Sequence, residues 1–155
     1  MKKIILLLII IFSAFLLQSR ISILGAQPDL AAAIAYYFGL KNGEAKGLLF
    51  GSFIGLIGDS LSGGILGPNI LGKGMVGFLS AFMSSASGGS FFRWTPVLGV
   101  IGISLLTAIN GIIVFLSITI FEHMPTSIPS AMSIIFTAAL INSLLGIFLR
   151  PQNEQ

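Results

Sequence analysis

The chain has 155 residues, a formal net charge of +3 and no cysteine, and 55% of its residues are hydrophobic while 8% are charged. A soluble domain carries about 25% charged residues, so this composition excludes an ordinary water-soluble fold and predicts one integral membrane domain over residues 1–155. The missing cysteines exclude disulfides and thiolate metal sites, and the scattered basic residues give no support for nucleic-acid binding.

The first apolar run follows two lysines at positions 2 and 3 and extends from Ile4 to Leu17. A basic start before an apolar core is also the pattern of a cleaved signal peptide. The best candidate cleavage site has the bulky Leu24 where a small residue is wanted, and the remaining chain needs an insertion signal. We therefore expect an uncleaved first transmembrane helix from Lys3 to about Gln18.

Five further apolar segments follow, bounded by prolines, charges and turn residues. They are predicted at Leu30–Leu40, Gly47 to about Gly58, Ile70–Met83, Pro96–Phe121 and about Ala131–Leu149. The sequence thus predicts an all-α integral membrane protein of about six transmembrane helices. A spanning helix needs about 20 mostly apolar residues, so segments two to four are short. The alternative is four full spans plus re-entrant pieces, which are tolerated beside protein or a water-filled cavity.

Charge placement sets the expected orientation. If the N-terminus lies inside, the cytoplasmic side holds Lys2, Lys3, Lys41, Lys46, Arg93 and Arg150, and the outer side holds Arg20 and, near the surface, Lys73. This excess of basic residues on the inner side follows the positive-inside rule. We expect both termini in the cytoplasm, with Phe91, Phe92 and Trp94 as aromatic anchors at the inner interface.

Glycines are concentrated in one part of the chain, since eleven of the 19 lie between Gly43 and Gly77. Gly47, Gly51 and Gly55 recur every four residues, and in an apolar helix this spacing makes a smooth stripe that another backbone can approach closely. We expect the third segment to be a packing helix. Its neighbour is either another helix of this chain or a partner protein.

The stretch GDSLSGGILGPN, from Gly58 to Asn69, places Asp59 where the third segment ends. This acid is either solvated at the outer interface or lies at the rim of a cavity, where it needs a partner. Pro68 predicts the first turn of the fourth helix, whose free backbone N–H groups face any acceptor in the loop. Asn69 and Lys73 share one helical face, so Lys73 is the expected countercharge for Asp59.

The inventory of reactive side chains argues against catalysis. The histidine at position 123 is the only one, and no cysteine or second histidine accompanies it. The five carboxylates are dispersed, and the glycine-rich stretch lacks the Gly-Lys-Ser/Thr ending of a phosphate-binding loop. We expect no enzyme activity, no cofactor and no metal site. Asn110 and Asn142, inside the two most hydrophobic helices, are interpreted as residues that hydrogen-bond across helices.

One part of the chain carries an ordered set of features. A proline precedes the second helix, the glycine-studded third helix ends in Gly-Leu-x-x-Asp, a small-residue turn follows, and the fourth helix has a Leu-Gly-x-Asn start and a Gly-Phe pair. The residues are Pro28, Gly55, Leu56, Asp59, Gly63, Gly64, Leu66, Gly67, Asn69, Gly77 and Phe78. In this order and spacing the stretch resembles the rod shape-determining protein MreD family. Lys73 departs from the family pattern.

The resemblance implies a non-catalytic subunit of the bacterial elongation machinery, located in the cell membrane and supporting lateral peptidoglycan synthesis. It implies a helical fold similar to the substrate-binding subunits of energy-coupling-factor transporters. The implied partners are MreC, the wall synthase RodA with its transpeptidase partner, and, indirectly, the MreB filament. The candidate residues for packing, partner contact or a pocket are Gly47, Gly51, Gly55, Asp59, Gly64, Gly67, Pro68, Asn69 and Lys73.

A second hypothesis is the small-molecule-binding subunit of such a transporter, with a vitamin as its ligand. A binding subunit needs a cavity with several converging polar or aromatic groups. The sequence offers few such groups, namely Asp59, Asn69, Lys73, Asn110 and Asn142. The segment from Ala31 to Ala35 only imitates the Ala-x-x-x-Ala helix that would dock an energising subunit.

Overall fold

The structure is a computed structural model that describes residues 2–83, 95–122 and 127–149. Within these ranges the chain is all-α, as the sequence predicts. The elements are α1 (Lys2–Arg20), α2 (Leu30–Asn42), α3 (Glu44–Ser62), α4 (Pro68–Ala81), α5 (Pro96–Glu122), α6 (Ile128–Ser143) and a 3₁₀ turn (Leu144–Ile147). The anchors expected at Phe91, Phe92 and Trp94, together with Arg93, His123 and Arg150, lie outside the described residues.

Two of the described helical stretches are long and apolar enough to cross a membrane, judged by length and composition. They are Pro96–Phe121 and Ile128–Ile147, with mean hydropathies of 2.3 and 1.8. In contrast, α2 and α4 have 13 and 14 residues. At 1.5 Å per residue each is about 20 Å long, against about 30 Å for the hydrocarbon core of a bilayer. Six full spans therefore do not follow from the helix lengths.

The third helix extends further than the sequence suggested. It continues past Gly58 to Ser62 and ends at Gly63, which adopts the left-handed conformation with φ +70°. Asp59 consequently lies in the last turn of α3 rather than after its end. Because a helix repeats every 3.6 residues, Asp59 shares the face of Gly55, which is the face that packs on α4.

The glycine stripe of α3 lies directly against the backbone of α4. The facing pairs are Gly47 with Gly77, Gly51 with Lys73, and Gly55 with Asn69. In each pair a side-chain carbon added to the α3 glycine would overlap the carbonyl oxygen of the α4 residue. Helix α4 of the same chain is thus the neighbour that the stripe packs against.

Helix α2 begins opposite the middle of α5. Asp29, the residue before α2, accepts a hydrogen bond from Asn110, which lies midway along the 27 residues of α5. Further along α2, the hydroxyl of Tyr36 lies beside Gly102, nearer the start of α5. Helix α2 therefore accompanies only one half of α5, and its first residue lies near half depth if α5 spans a bilayer.

Several polar side chains are buried among the described residues, and many large apolar side chains are exposed. Asp59, Lys73 and Asn142 are exposed by 1%, 3% and 0%. Large apolar side chains on the outside are far more exposed, with Leu49 at 71% and Phe148 at 80%. Water would penalise so much contiguous apolar surface, whereas lipid is a good solvent for it.

Candidate functional site

Asp59 binds the start of α4. Its Oδ2 atom accepts hydrogen bonds from the backbone N–H groups of Gly67 at 2.8 Å and Ile70 at 3.2 Å. Its Oδ1 atom accepts from the backbone N–H of Asn69 at 3.0 Å and from the Asn69 side-chain amide at 2.8 Å. A carboxylate at a helix N-terminus is stabilised both by these donors and by the positive end of the helix dipole.

The turn between α3 and α4 has the backbone that this contact requires. Gly67 has φ +140°, a value that side-chain-bearing residues rarely adopt, and its N–H points at Asp59. Pro68 follows at the first helical position, where its missing N–H leaves no donor unpaired. The exposed Gly64 forms part of the turn and contacts Ser62.

Lys73 pairs with Asp29 and not with Asp59. Its Nζ atom lies 3.2 Å from Oδ2 of Asp29, on the residue that precedes α2. Its other partner is Oδ1 of Asn69, at 2.7 Å. The expected Lys73–Asp59 pair is wrong because backbone donors and the Asn69 amide already fill both oxygens of Asp59, and Asn69 lies between the two charges.

Lys73 is also not an outer-surface cation. Its side chain is 4% exposed, so it does not count as a surface charge in the balance across the membrane. A buried ammonium needs an opposite charge and hydrogen-bond acceptors, and Asp29 and Asn69 supply them. The side chains of Arg20, Lys41 and Lys46, in contrast, are exposed.

Asp29 is the centre of the arrangement. Its Oδ1 atom accepts a hydrogen bond from the backbone N–H of Ala32 at 2.8 Å, which caps α2. Its Oδ2 atom accepts from Lys73 and, at 2.8 Å, from the Asn110 side chain. One carboxylate thus joins the start of α2 to the middle of α4 and the middle of α5.

The backbone of Asp29 is held as firmly as its side chain. The Asn142 amide accepts from the Asp29 N–H at 3.1 Å and donates to the Asp29 carbonyl at 3.0 Å. It also donates to Oγ1 of Thr107 at 3.1 Å. The interpretation of Asn110 and Asn142 as residues that hydrogen-bond across helices is confirmed, and both of them bind the same aspartate.

These contacts form one continuous unit, which we call the polar network. Its members are Asp29, Asp59, Asn69, Lys73, Thr107, Asn110 and Asn142. It contains two carboxylates and one ammonium, and each carboxylate caps a helix. A helix N-terminus is equivalent to about half a positive charge, so two helix starts and Lys73 together offset the two acids. The polar network is therefore close to electroneutral without a bound ion.

An open cleft reaches the polar network from one side. It has a volume of about 460 Å³ and runs between α1, the segment before α2, and the facing ends of α3 and α4. Asp29, Asn69 and Lys73 lie at its floor, and Phe12, Phe15, Leu16 and Leu61 are among its apolar walls. We call this space the polar cleft. Its shape suits a guest with one polar end and an apolar body.

The candidate residues from the sequence divide into three groups. The glycines that pack against α4 are Gly47, Gly51 and Gly55. The residues that form or adjoin the polar network are Asp59, Gly67, Pro68, Asn69 and Lys73. Gly64 lies in the exposed turn. Sequence reasoning missed Asp29 as the hub and Thr107 as a member. One signal for Asp29 was available in the sequence. It is an acid directly before a helix start without other charges, and a carboxylate in that position can bind a distant cation as well as the helix N–H groups.

Comparison with protein-family models, with curated proteins and with solved structures returned no match. Among the described residues, no group of three or more histidine, cysteine, aspartate or glutamate side chains is placed to hold a metal ion.

Proposed function

We propose that this chain is a non-catalytic scaffold subunit of the bacterial rod-shape machinery, similar to MreD. It is a multi-pass protein of the cell membrane with both termini in the cytoplasm. It binds MreC, works with RodA and its transpeptidase partner, and reaches the MreB filament indirectly. In this role it supports lateral peptidoglycan synthesis by holding partners in place and carries out no reaction itself.

The observation that carries the proposal is the saturation of Asp59. Each of its two carboxylate oxygens accepts two hydrogen bonds from within the chain, and all four donors belong to the start of α4. An acid that works in catalysis or ion transport needs a free face toward its substrate. Asp59 instead has an architectural task, and so do Gly55 and Gly67 of the same sequence pattern.

The distribution of exposed apolar surface supports a place in the membrane. The bundle exposes leucine, isoleucine and phenylalanine along α1, α5 and α6. It keeps its charged pair, Asp29 with Lys73, on the inside. A rigid bundle of this kind offers broad helix faces to a membrane partner, which is the requirement for a scaffold.

The polar cleft favours one alternative, a small-molecule-binding subunit of an energy-coupling-factor-type transporter. Lys73 and Asp29 at its floor offer a donor beside an acceptor, and aromatic walls stand above them. That combination is typical of a ligand pocket. A scaffold would use the same cleft to seat a segment of its partner.

Depletion of the chain in its native host tests the proposal. Rod-shaped cells should round up and stop inserting wall material along their sides, as measured by fluorescent labelling of new peptidoglycan. A plasmid copy should restore the shape, and Ser60→Ala, a change at an exposed serine of α3, should restore it equally well. Unchanged shape with lost uptake of one vitamin would replace the scaffold with the transporter subunit.

A further inference from the structure

A second and larger cavity lies on the opposite face of α2, away from the polar network. It has a volume of about 800 Å³ and is bounded by α1 on one side and by the end of the 3₁₀ turn, near Phe148, on the other. Its floor is a helical stripe of α2, made by Leu30, Ala33, Ile34, Tyr37, Phe38 and Lys41. We call this cavity the apolar groove. It is open to the surroundings along its length.

The apolar groove is about as long as one leaflet of a bilayer is thick. From Leu30 to Lys41 it follows twelve residues of α2, whose eleven steps of 1.5 Å give about 17 Å. The hydrocarbon of one leaflet is about 15 Å thick, half of the bilayer core. Because Asp29, the residue before Leu30, binds the middle of α5, we call the Leu30 end the deep end of the groove.

The two ends of the apolar groove differ. At the deep end α1 meets α2, where Oε1 of Gln18 lies 3.5 Å from the backbone nitrogen of Ala31. The other end carries the exposed Lys41 and the adjacent Asn42, with Tyr37 one turn back on the same face of α2. The groove is therefore closed where α1 contacts α2, and it opens beside a cation, an amide and a phenol.

We propose that the apolar groove binds an acyl chain of an anionic phospholipid from the leaflet that contains the turn at residues 41–46. The chain lies along the α2 stripe with its methyl end toward Leu30. The phosphate lies at Lys41, within reach of the Tyr37 hydroxyl and the Asn42 amide. The inference goes beyond the scaffold role, since it assigns a lipid ligand to a surface that the polar network does not use.

The length of the groove favours a lipid over a partner helix. A transmembrane helix needs about 30 Å of continuous surface, and this groove ends at the contact between Gln18 and Ala31 after about half that distance. The cation at the open end favours an anionic headgroup, because a basic residue at a membrane surface contributes about 1 kcal/mol of attraction to anionic lipid.

Photolabelling tests the position of the chain. The full-length protein is reconstituted in bilayers that contain phosphatidylglycerol with a photoreactive group near the methyl end of one acyl chain. Peptide mapping should place the label on the deep part of the groove, at Leu17, Leu30 or Ala33. Equal labelling of the exposed α5 face around Leu105 would show ordinary annular lipid and overturn the proposal.

Two variants and their matched controls complete the test. Lys41→Gln should reduce the preference for phosphatidylglycerol over phosphatidylcholine of the same chains about fivefold, the factor that corresponds to about 1 kcal/mol. Lys46→Gln, an exposed lysine outside the groove, should leave that preference unchanged. Ile34→Trp should fill the groove and abolish deep labelling, whereas Leu105→Trp should not.

Native mass spectrometry of the detergent-purified chain reads out the lipid preference, and its melting temperature confirms that each variant is folded. Equal preference in Lys41→Gln and Lys46→Gln would remove the headgroup assignment. A folded Ile34→Trp variant that keeps the label but loses a membrane partner would assign the groove to that partner instead. Either result contradicts the proposed site for an anionic phospholipid.

Discussion

The ammonium of Lys73 lies 3.2 Å from a carboxylate oxygen of Asp29, although 44 residues separate the two in the chain. This pair joins α4 to the start of α2, and Asn110 and Asn142 extend the connection to α5 and α6. The ion pair and the two asparagines bound to Asp29 therefore connect four helices.

Replacing Asp29 by alanine should destabilise the protein strongly. The change leaves Lys73 buried without its countercharge and removes the cap of α2, and breaking a buried pair from one side costs about 3–5 kcal/mol. The measurement is unfolding in mild detergent. Lys73→Met and the double variant Asp29→Ala/Lys73→Met complete the cycle, and the double variant should lose less than the sum of its two single changes. Additive losses would contradict a direct interaction.

Asp59→Asn should loosen the start of α4. An asparagine offers one acceptor oxygen, so the N–H groups of Gly67, Asn69 and Ile70 lose part of their binding. Hydrogen bonds to charged groups contribute about 1.5–3 kcal/mol each. Hydrogen exchange at these three amides should accelerate, while Ser60→Ala leaves them as they are. If the amides stay equally protected in Asp59→Asn, the carboxylate does not hold the turn.

Gly51→Leu should separate α3 from α4. A side chain at this position meets the backbone of Lys73, which cannot yield without moving the helix. Misfolding or loss from the membrane is expected, measured as the yield of monodisperse protein in detergent. Ala45→Leu adds comparable bulk on the exposed side of the same helix and should be tolerated. Normal yield of Gly51→Leu would show that the close contact is dispensable.

The two ends of α3 should lie on opposite sides of the membrane. Its 19 residues extend about 28 Å, close to the hydrocarbon thickness. Because the chain has no cysteine of its own, a single cysteine introduced at Ala45 or Gly64 is the only thiol that can be labelled. An impermeant maleimide should label Ala45→Cys from the inside and Gly64→Cys from the outside. Labelling of both from one side would make α3 re-entrant.

The features that sequence reasoning predicted correctly depend on neighbouring residues. Pro68 marks a helix start because a proline acts within one helical turn. The stripe of Gly47, Gly51 and Gly55 indicates close packing because its spacing is the helical repeat itself. Both kinds of signal are present in a short window of sequence.

The partner of Lys73 was not predictable in the same way. Asp59 was the nearer acid in the sequence. Its carboxylate binds the backbone N–H groups at the start of α4 instead of Lys73, because these groups are already aligned by the helix. The contact between Asp29 and Asn142 spans 113 residues and depends on how α6 packs. Asn142 was recognisable as a polar group in an apolar helix, but its target was not.

The most direct test of the scaffold is co-purification from native membranes in mild detergent, with the chain tagged at its C-terminus. We predict recovery of MreC together with the wall synthase, and loss of both when the polar cleft is narrowed by Leu61→Trp in protein that remains folded. Leu105→Trp, on an exposed face of α5, is the matched control. Recovery of a transport ATPase pair or of a bound vitamin, with no wall-synthesis protein, would contradict the scaffold.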